Sequence, residues 1–138
     1  MSDYETIEHT ADIGIRARGR SLGELFANAA AGMFSLICEP SQVRARETFP
    51  VRIEAEDMET LLVEWLNELL FLHESRGVVL GRFQVGRVDD HHLEGTALGE
   101  KLDPGRHILL EDIKAVTYHM LRIEQADGSW QATVIFDV

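Results

Sequence analysis

An α+β fold, two amphipathic helices on one face of a largely antiparallel or mixed β-sheet, is predicted by three features of this 138-residue sequence. Two stretches carry apolar residues at helical spacing behind recognisable N-caps. Six or seven shorter stretches alternate in polarity or are rich in β-branched residues. Most of these are separated by turns of hairpin length. No repeat, low-complexity stretch or linker interrupts the series, so residues 1–138 are expected to form one domain.

The first elements are short. Tyr4 to His9 alternates weakly, and Ile13 to Gly19 alternates clearly, with Ile13, Ile15 and Ala17 on one face and Arg16 and Arg18 on the other. The polar connection His9-Thr10-Ala11-Asp12 lies between them. Ser21-Leu22-Gly23-Glu24 has the form of a capping box, in which Ser and Glu side chains satisfy orphan N–H groups at a helix start. Behind it Leu22, Leu25, Phe26, Ala29, Ala30, Met33 and Phe34 form one stripe reaching about Ile37. Gly23 and Gly32 each weaken this helix by about 1 kcal/mol relative to Ala, a cost that close packing would explain.

Glu39-Pro40-Ser41 closes the helix, and Phe49 to Ala55 reads as a strand. Asp57 caps a second helix whose stripe is Met58, Leu61, Leu62, Trp65, Leu66, Leu69 and Leu72, ending near Arg76-Gly77. Strands are then expected at Val78–Leu80, Phe83–Val88 and Leu93–Leu98, with a turn at Asp103-Pro104-Gly105. The last stretch, Lys114 to Val138, reads as a hairpin: two apolar runs about an Asp127-Gly128 turn. Its second run stays apolar to the final residue, so the chain is expected to end in a strand.

Composition excludes several function classes. With 24 Asp and Glu against 13 Lys and Arg, the net charge is −11. Such a chain repels phosphate backbones at long range, so autonomous nucleic-acid binding requires a local basic patch that overrides the mean. The single cysteine, Cys38, allows no internal disulfide or Cys-rich zinc site, and its Leu-Ile-Cys context marks a buried structural thiol. Met1 to Thr10 is polar and acidic, so no secretory leader is expected. No apolar run reaches the ~20 residues of a membrane span, and a cytosolic protein is expected.

Motifs for nucleotide or nucleophilic chemistry are lacking. Glycines 77, 81 and 86 do not form a dinucleotide fingerprint, and neither a Gly-Lys-Ser/Thr loop nor a Gly-x-Ser-x-Gly elbow occurs. Asp89-Asp90-His91-His92 reads as a solvated turn, since adjacent strand residues point to opposite faces. Asp12 before a strand and Asp137 at a strand end read singly as a turn residue and a strand-end polar. Brought together with the main-chain carboxylate of Val138, they would make three like charges. At ~4 Å and an effective dielectric of about 20, each pair costs about 4 kcal/mol, so such a site must take up a proton or a cation. An all-oxygen set suits a hard ion such as Ca²⁺ or Mg²⁺. Lys114 and His119, on opposite faces if their strand is regular, read as a cation beside the carboxylates or a contact to a phosphate-bearing partner, or else as a snorkelling surface lysine and a satisfied histidine.

In this order, four segments resemble the archease family: His9-Thr10-Ala11-Asp12-Ile13-Gly14, Glu64-Trp65-Leu66-Asn67-Glu68-Leu69-Leu70, Lys114-Ala115-Val116-Thr117-Tyr118-His119 and Val134-Ile135-Phe136-Asp137-Val138. The resemblance runs nearly end to end. It implies helices against a mixed sheet, and a non-catalytic protein cofactor of the RNA-splicing ligase in tRNA splicing and RNA repair. Such a cofactor promotes guanylylation of the ligase and sustains its turnover, meeting guanine nucleotide and RNA only through it. The family's metal site, usually associated with calcium, maps onto Asp12, Asp137 and the terminal carboxylate of Val138. Lys114 is the implied functional basic residue, with His119 and His9 as further partner contacts. Two other classes remain open on the residues alone. One is a metal-dependent phosphohydrolase with His119 as base; the other is a general folding helper presenting acidic helix faces.

Overall fold

The computed structural model describes residues 3–8 and 12–138. Its elements are β1 (Tyr4–Glu8), β2 (Asp12–Gly19), α1 (Leu22–Ile37), β3 (Glu47–Glu54), α2 (Met58–Arg76), β4 (Val78–Val88), β5 (His92–Lys101), β6 (Ala115–Val116), β7 (Arg122–Ala126) and β8 (Ser129–Asp137), with a 3-10 turn at Pro40–Gln42. The α+β class is as expected. The strands form two sheets where one was expected: β1-β2-β8-β6 with β7 also paired to β8, and β3-β5-β4. Every described strand pairing is antiparallel.

Both helices serve both sheets. α1 packs on β1, β2 and β8 and also on β4, while α2 packs on β3, β4 and β5 and also on β6 and β7. Shared helices must bury more than one stripe, which is why Val63 and Leu70 are buried on α2 beside Leu61, Leu62, Trp65, Leu66 and Leu69. Trp65 lies fully inside and donates its indole N–H to the Phe26 carbonyl at 3.0 Å, fixing α2 against α1. Burying an indole without such an acceptor would leave a costly orphan donor.

The ends of the helices follow the sequence with one change. Ser21 Oγ accepts from Glu24 N–H at 3.1 Å, but the Glu24 carboxylate reaches back to Arg20 N–H instead of the Ser21 N–H of a capping box. Asp57 caps α2 by accepting from Thr60 N–H at 2.8 Å, which holds its carboxyl below the usual range. At the other end of α1 the last carbonyls find partners in a distant segment: Leu110 N–H donates to Ile37 O and Glu111 N–H to Leu36 O. Gly32 provides the close contact its cost required, since a Cβ there would lie 3.0 Å from Ile15 and 3.1 Å from Tyr4.

Two strand assignments change. Val78–Leu80 and Phe83–Val88 are one strand, β4, which absorbs irregularities between Leu80 and Arg82 and between Val85 and Arg87. Gly81 and Gly86 occupy these positions. β5 runs through Gly95 to Lys101. The edge strand β3 accommodates Pro50, whose missing N–H is tolerated at a sheet edge.

A buried polar pair, Glu100 and His107, was not foreseen. Glu100 on β5 is 5% exposed. Its carboxylate accepts from the Arg106 guanidinium, from Arg44 N–H at 2.7 Å and from His107 Nε2 at 3.0 Å. His107 Nδ1 in turn accepts from Asp103 N–H at 2.9 Å, which assigns the proton of a neutral ring to Nε2. The network fastens both the Arg44 segment and the Asp103-Pro104-Gly105 turn to the sheet. Arg106, then the Arg44 and His107 donors, hold the Glu100 carboxyl at about 2, against the opposing effect of burial. A folded-state value depressed in this way contributes stability above the unfolded pKa, and that contribution is lost as pH falls from the ordinary carboxylate range toward 2. Glu100→Gln should lower stability by about 2 kcal/mol at neutral pH and flatten the acid limb, read from urea midpoints between pH 7 and 3.

Candidate functional site

The site is built on the β2–β8 ladder, which pairs Asp12 with Asp137 and continues through Ile13–Phe136, Gly14–Ile135 and Ile15–Val134 to Gly19–Trp130. Directly paired residues share a face. Ile15, Ala17, Val134 and Phe136 are buried in the core, so Asp12 and Asp137 stand together on the opposite face at the end of the ladder. Val138 follows, 42% exposed. β6 lies on the other side of β8, pairing Ala115 with Asp137, and Lys114 N–H donates to Asp137 O at 2.8 Å. The sequence-predicted residues Asp12, Asp137, Val138 and Lys114 are therefore gathered at one sheet end.

Gly14 is what allows β2 to lie so close to β8 here. A Cβ at this position would come within 2.6 Å of the Ile135 side chain and 2.6 Å of the Val134 carbonyl. The hairpin that presents β8 is equally constrained. Ala126 pairs with Ser129 across Asp127 (φ 52) and Gly128 (φ 76), two successive residues at positive φ as a two-residue turn of primed type requires.

The expected continuous strand through Lys114 and His119 is not present. β6 is only Ala115–Val116, Lys114 precedes it, and His119 lies in the turn that follows. The interruption has a visible cause. Thr117 N–H and Oγ1 both donate to Ile135 O, at 3.0 and 2.9 Å, and Thr117 Oγ1 accepts from His119 N–H at 3.2 Å. The chain then turns through Met120 at φ 55 and rejoins the sheet as β7. His119 is exposed and lies further from the ladder end than Lys114, because β6 runs antiparallel to β8. His9 falls outside the described residues.

Asn67 is a positioning residue that the sequence did not single out. Its Oδ1 on α2 accepts from Val116 N–H at 3.2 Å, so a helix side chain occupies an N–H of β6. Nothing in the sequence marked it, since Glu64 and Glu68 place other polar residues on the same stretch. Cys38 is buried as expected, and burial pushes its thiol up. His91 and His92 are exposed, and their backbone N–H groups donate to Asp89 Oδ1 at 2.8 Å, the solvated turn predicted for them.

The two side-chain carboxylates are hard oxygen donors opposed across one strand pair, an arrangement that is repulsive without a counter-charge. Among the described residues no group of three His, Cys, Asp or Glu side chains assembles, so the described side chains supply two carboxylates at this sheet end. The donor chemistry of these carboxylates fits a hard divalent cation.

The pattern of the Archease protein family matches residues 4–138. The chain belongs to the archease family. Archease relatives from Pyrococcus furiosus and Pyrococcus abyssi are 40% and 41% identical, each aligned over 100% of both chains. The solution structure of protein 1598 from Methanobacterium thermoautotrophicum superposes with a TM-score of 0.88 at 41% identity, covering 100% of each chain. The crystal structure of a Thermotoga maritima protein described as an archease and possible chaperone shares the fold, with a TM-score of 0.64, 24% identity and coverage of 97% and 96%. Gly14 lies in the same segment as Asp12, and its role is steric. Gly14→Ala should cost about 1–3 kcal/mol by overpacking, with the largest loss of hydrogen-exchange protection at residues 12–16 and 133–137.

Proposed function

We propose that this archease is a non-catalytic activator of an RNA-splicing ligase in the cytoplasm, promoting guanylylation of the ligase and its repeated turnover. The carrying observation is the cross-strand pairing of Asp12 with Asp137 in a chain of this family. Asp12, Asp137 and the main-chain carboxylate after Val138 would hold a divalent ion, Ca²⁺ in this reading, with water completing the shell. When bound, the ion supplies positive charge that can offset phosphate charge in a partner's nucleotide pocket.

The chain's own residues do the rest. The β2–β8 ladder holds the carboxylates in register, and the exposed Lys114, whose N–H bonds to Asp137 O, brings a cation to the same sheet end. Thr117 fastens the turn carrying His119 to β8, so both basic residues are displayed from a sheet, as a docking tip requires. This reading calls for no membrane; among the described residues no helix is long and apolar enough to cross one. In ligase activation itself, RNA and guanine nucleotide are met through the ligase.

Purified protein added to ligase, GTP and metal should accelerate formation of ligase–GMP. Asp12→Ala, Asp137→Ala and a short extension after Val138 should each reduce that acceleration by tenfold or more while leaving circular dichroism unchanged. Calcium at 100 times its Kd should also stabilise wild type by about 2.7 kcal/mol and leave the Asp variants unmoved. Acceleration by the variants equal to wild type would sink the proposal. Phosphate-ester turnover by the protein alone would favour a hydrolase, and metal-independent protection of unrelated proteins a folding helper.

A further inference from the structure

The outward face of the three-stranded sheet is unlike the rest of this acidic molecule. On β3, β5 and β4 the inner residues Val51, Leu93, Ala97 and Leu80 are buried, and Trp65 of α2 lies against Gly95. The opposite face carries cross-strand rows. Arg52 pairs with Glu94, which pairs with Arg87; Thr48 pairs with Leu98, which pairs with Arg82. Arg52 and Arg87 are thus two strand spacings apart, about 10 Å, and the Arg82 row lies about 14 Å further along the sheet. Arg44 and Arg46 are exposed at the start of β3, where Arg46 N–H bonds to Gly99 O and Arg44 N–H to the buried Glu100 carboxylate.

Five of the 13 basic residues are therefore collected on or beside one face, and all five are arginine. Only Arg52 has an acidic partner, Glu94 at 2.8 Å; among the described residues Arg46, Arg82 and Arg87 make no side-chain hydrogen bond or ion pair. At the end nearest the Asp89 turn, Arg52, Arg87 and His92 border a cavity of about 480 Å³ with Glu54, Asp89 and Glu94 on its rim.

From this placement we infer that the outward face of the β3-β5-β4 sheet binds the phosphodiester backbone of a single-stranded nucleic acid directly. It is the local basic patch that an acidic chain would need. Guanidinium forks match phosphate oxygens in pairs, which favours phosphate over a diffuse anionic surface. An acidic protein partner fits less well, because protein interfaces centre on apolar anchors. The large exposed hydrophobic residues (Phe71, Ile108, Leu109, Leu110, Tyr118, Met120 and Val138) all lie outside these three strands. Apart from the His92 imidazole at one end, the face carries no outward aromatic ring for base stacking, so contact is with the backbone and largely indifferent to sequence. With an effective screening length of about 8 Å at physiological salt, the surrounding acidic surface weakens approach without abolishing contact.

The inference is independent of ligase activation and is tested on the protein alone. Binding of a fluorescein-labelled 12-nucleotide oligouridylate is followed by anisotropy from 20 to 200 mM KCl. Wild type should bind with Kd on the order of 10⁻⁵ M near physiological salt, and log K against log[salt] should slope about −3, for four phosphates on a single strand. Arg46→Gln, Arg82→Gln and Arg87→Gln should each reduce the slope by about 0.7, and the triple variant should bind at least tenfold more weakly at 50 mM KCl. Arg122→Gln, on β7 of the other sheet, should bind as wild type. No binding by wild type at 20 mM KCl, equal binding by a folded triple variant, or equal affinity for poly-glutamate of the same length would each overturn the inference. Loss of oligonucleotide binding with ligase activation intact would support this face as a separate site.

Discussion

The pairing of β2 with β8 is the constraint on which the rest of the molecule depends. It joins residues 12–19 to residues 130–137, more than a hundred positions away along the chain. Closing so long a loop is entropically unfavourable, and the ladder is repaid by the buried inner row of Ile15, Ala17, Val134 and Phe136. A slip of one residue would turn that row to solvent. The same register sets Asp12 against Asp137, so the hydrophobic pattern that stabilises the sheet also fixes the chemistry at its end.

Much of this was legible in the residues. The helix starts at Ser21 and Asp57, the stop at Gly77 and the Asp127-Gly128 hairpin all rest on local backbone chemistry and needed no tertiary information. Partition into two sheets was not legible, because alternation reports which face of a strand is buried and never which strands are neighbours. The breadth of the α2 stripe carried a hint: an arc that includes Val63 and Leu70 is wider than one sheet requires. The break between β6 and β7 was hidden for a different reason. Tyr118, His119 and Met120 are all residues a strand accepts, and only the Thr117 bonds to Ile135 reveal why the chain leaves the sheet there.

The site was legible in part. Asp12 and Asp137 could be named, and their meeting could be stated only as a condition, since proximity across the whole chain is a property of register. Asn67 and Glu100 were invisible as polar positions with structural duties, because each looks ordinary until its partners are known. Charge shows the same gap between composition and arrangement. A sum of −11 describes the molecule at a distance, whereas cross-strand register alone decides that Arg52, Arg82 and Arg87 share a surface.

Pro50 has a consequence for behaviour at high concentration. β3 is an outermost strand whose exposed backbone could template growth of the sheet onto a neighbouring molecule, the first step toward fibrous aggregates. A ring without an N–H interrupts that template midway along the strand, and the flanking Arg46 and Arg52 add like charge to any copy approaching in the same orientation. The rim that gathers the molecule's positive charge is thereby also the one protected against self-polymerisation.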